Sequence, residues 1–125
     1  MRNKRARKVM LDDFRGRLAN FPPPLQEAVS DALNTVEEVS KTLDEKDLWD
    51  KLDKHTLGPL EGVPLMLMGI LYNDAIFKVI GSGGHYVKES IDEFVDGSAK
   101  TLRHDIKTME DRLKVFLDSK SGFPV

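Results

Sequence analysis

The chain has 125 residues, no cysteine, a formal net charge of −2, and 32% charged against 40% hydrophobic residues. That length fits one compact domain able to bury a core without staples, and the missing thiols exclude disulfides, thiolate nucleophiles and cysteine-based zinc sites. The near-neutral balance supplies no global field for nucleic acid or membranes, and the composition predicts a soluble, helix-rich protein with charged outer faces.

Residues 1–8, MRNKRARK, carry five cations and no acid. They are expected to form a flexible basic arm, because disorder concentrates at solvated termini. Residues 9–21 follow as a short amphipathic helix with Val9, Met10, Leu11, Phe14, Leu18 and Phe21 on its apolar side. Arg15 and Arg17 extend the basic character along it, so Arg2, Lys4, Arg5, Arg7, Lys8, Arg15 and Arg17 are the candidate nucleic-acid contacts. Such a set would release counterions from a phosphate backbone, giving salt-sensitive binding without sequence preference. No aromatic residue interleaves with the first eight positions to stack a base.

Pro22, Pro23 and Pro24 end that segment and open the next, since proline suits the first helical position. Leu25, Val29, Leu33, Val36 and Leu43 keep helical spacing, while Glu27, Asp31, Glu37, Glu38 and Lys41 are placed outward. The sequence Thr42-Leu43-Asp44-Glu45 matches a capping box and predicts a kink or a fresh start near Thr42. Beyond it Leu48, Trp49 and Leu52 are expected to be buried, with Asp47–Lys51 and Asp50–Lys54 as helical ion pairs. Residues 56–64, TLGPLEGVP, hold two glycines and two prolines and read as an internal loop.

Residues 63–84 are the most apolar stretch. Pro64 would open a helix over residues 65–80, with Leu65, Met68, Tyr72, Ile76 and Val79 as its core face and Asn73, Asp74 and Lys78 opposite. The alternative is a hairpin turning at Asn73-Asp74, which would make the fold α+β. The polar residues in its middle and second half argue against a membrane span. Gly81 to Gly84 then form a loop. Ser90-Ile91-Asp92-Glu93 is a second capping box, and Asp96-Gly97-Ser98 an expected interruption. Ala99, Leu102, Ile106, Met109, Leu113 and Phe116 make a heptad seam that could be an oligomer or partner interface. Asp96–Lys100 and Glu110–Lys114 flank it as acid-before-base pairs, and Gly122 and Pro124 supply stop signals.

Reactive constellations are sparse. GSGGH, ending at His85, matches neither a P-loop nor a dinucleotide fingerprint. His55, His85 and His104 form no i,i+4 ligand pair, and Ser82 and Ser90 lack a nucleophile-elbow context. The acid pairs Asp12-Asp13, Glu37-Glu38 and Asp92-Glu93 read as solvated helix surface. The sequence therefore predicts a mostly α, single-domain bundle of four or five helices around a buried central helix. The function expected of it is non-enzymatic: a protein-interaction or oligomeric structural or adaptor module, binding a protein partner or itself, with no cofactor or metal. A nucleic-acid-binding accessory protein is the alternative. Without an apolar segment after the basic start, no secretory signal is read, and an intracellular, cytoplasmic location is expected.

Overall fold

The computed structural model describes residues 2–52, 54–80 and 85–121. It is a mostly α bundle of four helices, α1 (Lys4–Gly16), α2 (Pro23–Glu45), α3 (Lys54–Ile80) and α4 (His85–Ser121), with no strand among the described residues. The hairpin alternative is thereby overturned, since residues 65–80 belong to a single helix.

Residues 4–8, expected in a flexible arm, are the first turns of α1. Asn3 caps them, its Oδ1 accepting the Ala6 N–H at 3.0 Å. Arg7, Leu11 and Phe14 follow at steps of four and three and form the buried face. Val9, expected on the apolar side, is instead 65% exposed. A 3-10 turn at Leu18–Asn20 then leads to Phe21, which is buried just before the prolines open α2.

The most deeply buried element is α2, not residues 65–80: Leu25, Val29, Ala32, Leu33, Val36 and Leu43 are all within 1% of complete burial. It packs mainly against α4, and α1 lies across it. No new helix starts at Thr42, whose hydroxyl donates to the Glu38 carbonyl inside the last turns. The helix runs on to Glu45 and ends in a Schellman motif. Leu48 N–H donates to Leu43 C=O at 3.0 Å, and Asp47 N–H to Asp44 C=O at 3.2 Å. Asp47 takes the left-handed position with φ 52°, and Leu43 and Leu48 supply the apolar contact that goes with the motif. The chain then makes a 3-10 turn at Trp49–Lys51, burying Leu48 and half-burying Trp49 and Leu52.

The expected loop over residues 56–64 is helical: α3 runs from Lys54 through Gly58, Pro59, Gly62 and Pro64 without a break. An interior proline costs about 3 kcal/mol, yet Leu60, Val63, Leu67 and Ile70 sit at steps of three and four and are all buried. Their shared burial, at roughly 1.5–3 kcal/mol per large side chain, outweighs the local penalties across Pro64. The seam is also displaced from the expected one. Leu65, Met68 and Tyr72, read as a core face, are 74%, 60% and 68% exposed. Ile76 is half-buried, and the Val79 side chain lies outside the described residues.

Helix α4 is also continuous. Ser90 and Gly97 lie within it, Ser98 is buried, and the Thr101 hydroxyl donates to the Gly97 carbonyl. Its seam packs inside the chain, against α2 and α3. Leu102 and Met109 are buried in the core, and Ala99, Ile106, Leu113 and Phe116 pack partly buried against it. An Arg103–Asp31 ion pair at 2.5 Å fastens α4 to α2 at the surface. Gly81 to Gly84, Gly122 and Pro124 lie outside the described residues.

Candidate functional site

Both α1 and α3 pack their inner faces on the core without packing extensively on each other, and a groove of about 720 Å³ runs between them. Ala6, Val9, Met10 and Phe14 form one wall, and Pro64, Leu65 and Met68 the other. Arg5 and Asp13 stand on the α1 side at opposite ends. Tyr72 extends the apolar rim one turn beyond Met68. A surface helix of a globular protein has one apolar stripe and one polar face. This helix has two apolar stripes, one through Leu60, Val63, Leu67 and Ile70 and one through Leu65, Met68 and Tyr72, and the core uses only the first. The second is a contiguous exposed apolar patch, the feature that marks interaction surfaces. Sequence spacing selected the wrong stripe because both satisfy the same periodicity. The usable signal was that residues 62–72 carry no charged side chain on any face.

The candidate nucleic-acid contacts are dispersed. Arg2 pairs with Asp50, and its hydrogen bond holds the Asp50 carboxyl below the usual range. Arg7 is buried and pairs with Asp44, which also accepts the Trp49 indole N–H at 2.8 Å. Burial works against the Asp44 carboxylate, but the Arg7 and Trp49 hydrogen bonds outweigh it and hold its pKa down. Lys8 pairs with Asp12 and Arg17 with Asp13, each one helical turn away. Arg15 bridges to Glu37 at 3.0 Å and to Asn34 at 3.0 Å, and the first of these bonds lowers the Glu37 pKa. Of the seven, Lys4 and Arg5 are exposed with no ion pair among the described residues. A smaller pocket of about 300 Å³ gathers Lys4, Arg7, Lys8 and Lys41, but Asp12 and Glu37 line it too.

Comparison with known protein families, characterised proteins and solved structures finds no match to the chain. The functional reading therefore rests on the chain's own geometry. Among the described residues no three histidine or carboxylate side chains gather where they could hold a metal ion, and no helix is long and apolar enough to cross a membrane. His104 is exposed on α4, as its place off the heptad stripe predicts. The side chains of His55 and His85, and the glycine run before His85, lie outside the described residues. On the α4 seam the inner residues are already covered by the chain itself; among the described residues the large exposed hydrophobic side chains are Val115, single on α4, and Val9, Leu65, Met68 and Tyr72 on α1 and α3.

Proposed function

We propose that this protein is a non-enzymatic interaction module whose contact face is the α1–α3 groove. The observation that carries the reading is the exposure of Val9, Leu65 and Met68 around one apolar depression, with exposed Tyr72 one turn further along α3. Leaving such side chains in water forfeits roughly 1.5–3 kcal/mol each relative to burial, so a partner that covers them gains a large hydrophobic term. Methionine and tyrosine suit the task. Met68 can adapt its shape to a partner, and Tyr72 offers an apolar ring with a polar end. The α4 seam, read from sequence as the interface, is replaced in this proposal by the second stripe of α3.

Site-specific photo-crosslinking in cells tests the reading. A photoreactive side chain at Leu65 is expected to trap a polypeptide, whereas one at the exposed Glu110 of α4 is expected to trap none. Equal or absent crosslinking from the two positions would sink it.

A further inference from the structure

We propose that the α1–α3 face closes on a second copy of this chain across a two-fold axis beside Val9. The two α1 helices run antiparallel, with Arg5 of each copy against Asp13 of the partner subunit. The proposal rests on the interaction-face reading and names the occupant of the groove.

Charge order on α1 carries the argument. Arg5, Val9 and Asp13 are spaced i, i+4, i+8 and share one exposed face, and all three border the groove. The stripe is basic at one end, apolar in the middle and acidic at the other. At 1.5 Å per residue each charge lies about 6 Å along the helix from Val9. Rotation by 180° about an axis at Val9 therefore sets Arg5 over the partner subunit's Asp13, and the same pair forms again on the other side. An acidic partner helix would satisfy Arg5 and repel Asp13, and a basic one the reverse. A second copy satisfies both ends, as an isologous interface requires.

The same order is unfavourable for α1 standing alone. Its first turn contains Lys4 and Arg5 and no acidic residue, so cations face the positive end of the helix dipole. In the antiparallel pair Asp12 and Asp13 of the neighbouring α1, with the negative end of its dipole, lie beside that end and offset it. Arg5 makes no ion pair among the described residues, and the exposed Asp13–Arg17 bond leaves Asp13 able to accept a further donor. Ala6 on the same wall leaves room for close approach, and Leu65 and Met68 across the groove are covered by the incoming helix.

Sedimentation equilibrium on the full chain, with Arg5→Glu and Asp13→Lys variants, tests the geometry. The wild type is expected at twice the 14.1 kDa chain mass. Each single variant places like charges at both contacts and is expected to weaken the pair tenfold or more. An equimolar mixture of the two variants is expected to regain the dimer. In the mixed pair one contact keeps its original Arg5–Asp13 charges, and the other has them exchanged, with the acid introduced at position 5 against the base introduced at position 13. Thermal melts separate this from misfolding, since an acidic residue at position 5 suits a helix N-terminus and leaves the monomer equally or more stable. A monomeric wild type, a dimer indifferent to both variants, or a mixture that fails to recover would each overturn the proposal. A monomeric wild type with Leu65 crosslinks to a different protein sinks only the self-pairing, whereas loss of all Leu65 crosslinks sinks the interaction face itself.

Discussion

Arg7 enters the core from the first turns of α1, and its guanidinium meets Asp44 near the end of α2, where the Trp49 indole N–H completes the carboxylate's shell. Removing one partner of a buried pair strands the other charge, at about 3–5 kcal/mol. Arg7→Met is therefore expected to destabilise the fold by that order in urea unfolding. The double variant Arg7→Met/Asp44→Leu should recover part of it, the remainder being the acceptor lost to Trp49. The pair also sets a pH dependence. The folded pKa of Asp44 is lowered, so its contribution is complete above the ordinary carboxylate range and is lost as pH falls through the folded value. Wild-type stability is expected to drop on acidification below about pH 4, with a shallower acid limb in the double variant. Ser40 is the opposite case. Its hydroxyl is fully buried in α2 with no hydrogen-bond partner among the described residues. Ser40→Ala removes an unsatisfied group and improves helix propensity, so a gain of about 1 kcal/mol is expected in the same unfolding measurement. Neither feature was legible in the sequence. Arg7 belonged to a run of cations that local chemistry reads as solvated, and only the partner 37 residues away reveals it as buried.

Helices α3 and α4 both run through residues that normally stop a helix, for different reasons. In α4, Gly97 has nothing within 4 Å of where a Cβ would stand, so its presence there costs propensity without relieving any clash. Gly97→Ala is expected to raise stability by roughly 0.5–1 kcal/mol, read as an increase in thermal midpoint. In α3, Pro59 and Pro64 are carried by the burial of Leu60, Val63, Leu67 and Ile70, a tertiary gain that no local window contains. This is where sequence reading failed, placing a loop over residues 56–64. It succeeded where local and tertiary signals agree. The proline run marked the start of α2, and Leu25, Val29, Leu33, Val36 and Leu43 all fell in the core. The heptad in α4 was real as a pattern, but its inner residues pack on α2 and α3, because a narrow apolar stripe does not state whose helix it faces.

Two leucines two residues apart on α3 mark the division between the molecule's core and its open face. Leu67 is fully buried, and Leu65 is 74% exposed on the groove. In a dilute, monomeric sample, Leu67→Ala should cost about 2–5 kcal/mol through lost burial and the cavity left behind. Leu65→Ala should stay within about 0.5 kcal/mol there. If the α1–α3 face closes on a second copy, folding and association are linked, and the thermal midpoint must rise with protein concentration. Melts across a roughly hundredfold concentration range are then expected to show that rise for the wild type and to lose most of it for Leu65→Ala. Leu67→Ala should melt lower throughout but keep the concentration dependence as long as it folds, because its side chain faces away from the groove. The two variants thus separate what holds the chain together from what holds two chains together. A flat wild-type profile would mean that two copies do not stabilise each other through this face, and the exposed stripe of α3 would have to be assigned to a different protein.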